Sequence, residues 1–302
     1  VMKKSISALT AIFVLLLLLT HPALSYEGAC QGLLLWFHTV LPTLLPFMIC
    51  SNVIVILGGV SLLTSPFRPL LKPVFKLSSE GSYVLISGLL CGYPMGAKTC
   101  SEFLDHGRIS LKEARYLLAI SNHPSPMFLL GYVAANLSPA LSMTTVLLSL
   151  YLPILPVAWA ARGLYGVQEA KDKTPFPKST KSSFDTVMMS SFEVMVRIGG
   201  YIMLFSILAA FIQKMPWFSP FWKALLLGIV EITTGIQAVS KAVSGPLQGL
   251  CLTMITAFGG LSGISQTKSV LKNAGLSVRH YLLWKLFHAI LSVGCFLALS
   301  AA

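Results

Sequence analysis

"SGLLCGYPMGAK", residues 87–98, is the stretch on which the reading of this chain turns. It begins as an apolar run of the kind that sits in lipid. It breaks at Gly92-Tyr93-Pro94 and restarts with two small residues and Lys98. A second interruption, "ISNHPSPMF" at 120–128, follows. Backbone amides left unpaired in hydrocarbon are costly, so a broken helix at membrane depth survives only when packed in protein or lining a wet cavity. Two questions follow: whether the surroundings are membrane, and what the breaks converge on.

The composition answers the first. Of 302 residues, 55% are hydrophobic and 11% charged, with mean hydropathy +0.78; a soluble domain carries about 25% charged residues. Runs such as "AIFVLLLLL" at 11–19 are continuous, unlike the alternating strands of a β-barrel. An all-α, polytopic membrane protein is expected, with the lipid bilayer as its first partner. The net charge of +12 then sets topology. No basic-aromatic module points to nucleic acid. The six cysteines form no C-x-x-C pair and are read as buried thiols. His123 has no second His or carboxylate at ligand spacing, so no metal site is expected. No H-E-x-x-H, G-K-[ST] or G-x-S-x-G motif is present, so neither an enzyme nor a catalytic residue is expected.

Seven crossings can be drawn: about 5–24, 32–59, 114–137, 140–161, 186–212, 247–267 and 280–301. The second begins with an interfacial segment and crosses past Pro42. The stretches 81–106 and 221–243 each break near the middle and read as re-entrant hairpins. Lys3 and Lys4 precede the first run, and "ALS" at 23–25 resembles a signal-peptidase site. Because the rest of the chain is itself membrane-embedded, a retained first helix is expected. With Lys3 and Lys4 inside, the loop 21–31 is outside and lacks Lys and Arg. The basic loops near 68–76, 108–115, 162–183 and 268–279 then all fall inside and only Lys214, Lys223 and Lys241 fall outside, so the positive-inside rule is met with few exceptions.

The Lys-, Ser- and Pro-bearing stretch 162–183 divides the chain. The halves share one order: crossing, broken hairpin, interrupted crossing, plain crossing. Three crossings per half is an odd number, so the second half enters from the opposite face, an inverted-topology repeat. The expected organisation is an N-terminal transmembrane helix at 1–27, a first repeat at 28–161, a basic cytoplasmic linker at 162–183 and a second, inverted repeat at 184–302.

Four interruptions, two per repeat, would meet near the midplane, where secondary transporters bind substrate. Gly92 and Tyr93 form the first break. Lys98, one turn on, reads either as an anion-facing lysine or as one snorkelling to the interface. Asn122, His123 and Ser125 supply polar groups in "SNHPSP", for substrate contact or for a structural kink. Glu231, in "GIVEITTGIQ", is an ionisable group inside an apolar hairpin and hence a site by default. It reads as carrier of a coupling ion (proton or sodium), as an organiser of backbone, or as half of a salt bridge to Arg197. Arg197 also has Glu193 four residues away. Thr233, Thr234, Ser262 and Gln266 complete the polar set. No cofactor beyond the coupling ion is expected.

At these residues the sequence resembles a known family. "VLPTLLPFMI", "SGLLCGYPMGAK", "GIVEITTGI" and "FGGLSGISQ" together resemble the sporulation integral membrane proteins of the YlbJ/SpoVV type, which have nucleoside-recognition (Gate) domains. The resemblance spans about 30–275. It implies a design related to concentrative nucleoside transporters and a role in endospore formation. The implied task is moving dipicolinic acid from the mother-cell membrane side across the outer forespore membrane. A flat aromatic dianion suits half-helix N-termini and hydroxyl donors. Two alternatives stay open: a transporter of another small anionic or nucleoside-like solute, and a non-transporting assembly protein of the spore membrane. Either is compatible with an oligomer.

Overall fold

A computed structural model describes residues 2–167, 183–272 and 275–301, all of whose regular elements are helical. The first half runs α1 (Met2–Thr20), α2 (Pro22–Leu35), a π-helical segment Trp36–Val40 and α3 (Leu41–Ile56). Two short helices, α4 (Val60–Thr64) and α5 (Arg68–Phe75), lead to α6 (Ser79–Cys91) and α7 (Met95–Asp105). Then come α8 (Leu111–Ile120), a second π-helical segment Phe128–Val133, α9 (Met143–Tyr151) and α10 (Ile154–Tyr165). The second half runs α11 (Phe184–Lys214), α12 (Pro220–Val230), α13 (Ile232–Ala242), α14 (Gly245–Phe258), α15 (Gly260–Val270) and α16 (Val278–Ala301).

Five helical stretches are long and apolar enough to cross a membrane: Pro22–Ile56, Met143–Tyr165, Phe184–Lys214, Gly245–Val270 and Val278–Ala301. The protein is therefore polytopic and all-α. One part of the expected drawing is corrected. The loop 21–31 does not exist; a single turn at His21 is followed by continuous helix to Ile56. Pro22 stands at the first position of α2, where a missing N–H costs nothing. Pro42 lacks the N–H that would reach the carbonyl four residues back, and the π-helical segment just before it absorbs the mismatch.

The expected boundary at 27/28 falls inside α2, and 162–165 belong to α10. Most of the basic linker, 168–182, lies outside the described residues.

Helices α2 and α11 pack along each other. A Cβ added to Gly28 would sit 2.7 Å from Ile207 Cα, and one on Gly32 would sit 2.7 Å from Met203 Cα. The Trp36 indole lies against Gly199 and donates to the Met195 carbonyl at 2.9 Å. As one helix advances the other recedes, so the pair is antiparallel. Small residues four apart let the two backbones approach this closely.

The two broken stretches are hairpins. Helix α6 has 13 residues and reaches about 20 Å, short of a hydrocarbon core of about 30 Å. Helices α12 and α13 have 11 residues each and are shorter still. In each hairpin the arms touch near the tip: Gly88 meets Gly96, and Gly235 meets Gly228.

Candidate functional site

The glycines of "SGLLCGYPMGAK" form a seat. Gly92 closes α6 with φ +82°, a left-handed turn that favours glycine. Added Cβ atoms would lie 1.9 Å (Gly88) and 2.1 Å (Gly96) from the Ser121 carbonyl oxygen, and 2.9 Å (Gly92) from the Ser125 amide. The second interruption, 121–125, thus rests in the first hairpin's glycine groove. The second half repeats the contact. Gly259 and Gly260, both with positive φ, break α14 from α15, and Gly260 lies against Ile232 N and the Val230 carbonyl.

These pairs meet across the molecule. The Tyr93 ring lies about 3.5 Å from where a side chain on Gly259 or Gly263 would begin. The Tyr132 hydroxyl donates to the Thr233 carbonyl at 3.0 Å. Between them is a cavity of about 360 Å³, at the small end of the roughly 300–1,000 Å³ range of ligand sites. Both hairpin tips reach it, through Tyr93 and Glu231, and both interrupted crossings do, through Ser125 and Gln266. So do both π-helical segments, through His38 and Thr39 and through Phe128 and Tyr132. The Phe128 and Tyr132 rings stack with centroids 5.4 Å apart. Such π segments recur at functional sites because they re-aim side chains and carbonyls.

Of the residues expected at the site, Gly92, Tyr93, Ser125, Glu231, Thr233 and Gln266 line the cavity. The others do not. Lys98 is 4% exposed and is held by Glu102, one turn on, at 2.7 Å; it is neither an anion ligand of the cavity nor a free snorkelling chain. Asn122 is a buried clasp. Its Nδ2 donates to Thr267 Oγ1 at 2.9 Å and to the Tyr281 hydroxyl at 2.8 Å, and its Oδ1 accepts from Ala97 N at 3.4 Å. His123 turns away and packs on His288, ring centroids 4.3 Å apart. Ser262 accepts from Gln266 Nε2 at 3.1 Å. Thr234 donates to Glu231 Oε2 from its amide at 2.8 Å and its hydroxyl at 3.0 Å.

Glu231 caps α13. Its Oε2 also accepts from the Thr233 hydroxyl, so one carboxylate oxygen receives three hydrogen bonds at a helix N-terminus, where negative charge is favoured. The salt bridge to Arg197 does not form. Arg197 pairs with Glu193 at 2.6 Å and donates to the Ser269 carbonyl. Three half-helix ends expected to face an anion each have an amide occupied by the protein: Ser125 Oγ accepts from Phe128 N, Asn122 Oδ1 from Ala97 N and Glu231 Oε2 from Thr234 N. Among the described lining residues there is no Lys or Arg.

One group of residues escaped the sequence reading. Tyr281, Lys285, His288 and Ser292 are buried on α16, while Leu283, Ile290 and Leu297 on the same helix are 54–69% exposed. A polar stripe at spacings of four, three and four inside the last apolar crossing was the available signal. It meets the criterion that singled out Glu231.

The chain is similar along nearly its whole length to the sporulation integral membrane protein YlbJ of Bacillus subtilis. The two are 28% identical over 320 aligned residues, which cover 92% of this chain and 78% of that protein. This supports the YlbJ-type resemblance and a sporulation membrane protein. No family model and no solved structure matches the chain.

Proposed function

We propose that the chain is a secondary transporter of endospore formation, with two inverted Gate-like repeats, that moves a small solute through the cavity between Tyr93 and Glu231. The substrate class follows from the resemblance: dipicolinic acid, crossing the outer forespore membrane. The carrying observation is the convergence of two hairpin tips and two interrupted crossings on one cavity. An assembly protein has no use for four interrupted elements around a void, since dry packing is cheaper in lipid. The antiparallel pairing of α2 and α11, the leading helices of the two halves, is what an inverted repeat requires. No bond is made or broken; the protein is not an enzyme and takes no cofactor beyond its coupling ion.

The charge of the wall constrains the solute. Glu231 is the one Asp or Glu of the described lining and faces no lining Lys or Arg. A dianion enters such a cavity only with a proton or cation alongside. The same observation favours a second reading, a neutral hydroxyl-bearing solute of nucleoside type that donates to the carboxylate and stacks on Phe128 or Tyr132.

Cysteine protection separates the readings. Ser125→Cys and Thr233→Cys, on a cysteine-free background, should react with a small polar thiol reagent in membranes. Dipicolinate should slow both reactions if it is the substrate, and uridine should do so on the second reading. Labelling that neither solute slows, with no exchange of either in proteoliposomes, would leave the assembly role standing and the transport reading defeated.

A further inference from the structure

Beside Tyr93 lies a set of ionisable groups that do not line the cavity. Lys285 is 2% exposed and, among the described residues, pairs with no carboxylate. Its Nζ makes one long hydrogen bond, 3.4 Å to the Asn122 carbonyl, and stands 5.7 Å from the centroid of the Tyr93 ring. His288, one turn further along α16, touches the Leu150 carbonyl through Nε2 at 2.9 Å, and beyond it only the Ala257 backbone is within reach. The His123 ring packs on it, and neither ring nitrogen meets a side-chain partner; the Ile120 backbone is the one polar group within reach. The Tyr93 hydroxyl is buried and unpartnered.

Buried polar groups are normally well satisfied, so ionisable side chains clustered without a counter-charge and with only backbone partners call for an explanation. A cation in a membrane helix without a counter-charge is costly and marks a functional pathway by default. A metal is a poor candidate, because no third His, Cys, Asp or Glu joins the two imidazoles among the described residues. A solute is too, because the two imidazole rings are already in contact. A proton needs no cavity, and a primary amine and two imidazoles each exchange one.

We infer that Lys285, with His123 and His288 beside it, is the proton-coupling site of the transporter, set beside Tyr93 of the cavity wall. The inference rests on the transport reading above. Lys285 takes up one proton from the aqueous phase on one face and releases it to the other. Its charged form places a cation beside the wall that a solute anion approaches, and its neutral form removes it. Glu231 is a weaker candidate because its Oε2 is committed to capping α13. The ionisable groups facing Lys285 are His288 and Tyr281 on its own helix, His123 from the break after α8, and Tyr93 from the first hairpin. Tyr93 shares the cavity with Glu231.

The test uses the full-length protein in proteoliposomes, labelled dipicolinate or uridine, a trapped pH dye and the membrane potential clamped at zero. One coupled proton and a gradient of one pH unit support a solute ratio of about ten. Native protein should show counterflow, accumulation down the proton gradient, and proton movement with the solute. Lys285→Met should keep counterflow while accumulation falls to a ratio of one. Lys285→Arg keeps a cation of similar reach but cannot release its proton, so it should also lose accumulation. Restored accumulation in the arginine variant would reduce Lys285 to a structural cation and overturn the inference, even if the methionine variant failed to fold. So would native counterflow unaccompanied by proton movement. Absence of counterflow of both dipicolinate and uridine in the native protein would defeat the transport reading first, and the inference with it.

Discussion

Gly96→Ala tests whether the hairpin glycines are a seat for the interrupted crossing. The added Cβ would lie 2.1 Å from the Ser121 carbonyl oxygen and 2.6 Å from its carbon. A carbon–oxygen contact settles at about 3.3–3.6 Å, so one backbone must retreat by more than about 1 Å. Ser121 has little room to do so, because its amide is tied to the Leu117 carbonyl at 2.8 Å. Overpacking costs about 1–3 kcal/mol, and a clash against backbone belongs in the upper part of that range. Alanine returns up to about 1 kcal/mol of helix propensity on α7. The net loss is therefore about 1–2 kcal/mol. The displaced segment carries Ser125 to the cavity, so solute affinity should fall as well. The assay is thermal unfolding of purified protein in detergent, ranked at one scan rate because such transitions are often irreversible. Gly200→Ala on α11 is the control. Nothing lies within 4 Å of its Cβ, and its midpoint should equal or exceed the native one. A Gly96→Ala protein as stable as the control would refute the seat.

Glu231→Gln keeps an oxygen for the Thr234 amide but removes the cavity's carboxylate. The protein should still insert and accumulate, while uridine affinity on the second reading should fall about tenfold because a charged hydrogen-bond acceptor is lost, and unchanged affinity would remove Glu231 from that reading. Lys98→Met should leave solute affinity unchanged, because its partner Glu102 has a side chain 40% exposed and stays solvated. A stability change under about 1 kcal/mol is expected, and a large rise in the half-saturating solute concentration would return Lys98 to the site. Gly28→Ala and Gly32→Ala should each cost about 1–3 kcal/mol by forcing α2 away from α11. A double variant no less stable than native would show that the two helices do not pack as described.

Much of the architecture was legible because lipid imposes strict local rules. Continuous apolar runs, few charges and basic loops on one side gave an all-α polytopic chain. The breaks at Gly92-Tyr93-Pro94, Asn122–Ser125, Glu231 and Gly259-Gly260 were visible because glycine, proline and a carboxylate do not sit idle in a lipid-facing helix. Glu231, Ser125 and Thr233, singled out by that reasoning, line the cavity. What sequence alone left open was direction. Lys98 and Asn122 have the chemistry of ligands, yet Lys98 turns to Glu102, and Asn122 ties α7, α15 and α16 together. The partners of Asn122 lie on helices more than a hundred residues away in the chain, and which way it points depends on them. The same reason hid the importance of Lys285 and His288: a lysine near the middle of an apolar helix can face lipid headgroups, a partner or a core, and only the packing of α16 against the break at 121–125 decided that it faces the core. The continuity of helix from Pro22 to Ile56 was likewise settled by tertiary contact. Gly28, Gly32 and Trp36 lie flat along α11, and that interface holds straight a segment whose prolines, taken locally, suggest an end.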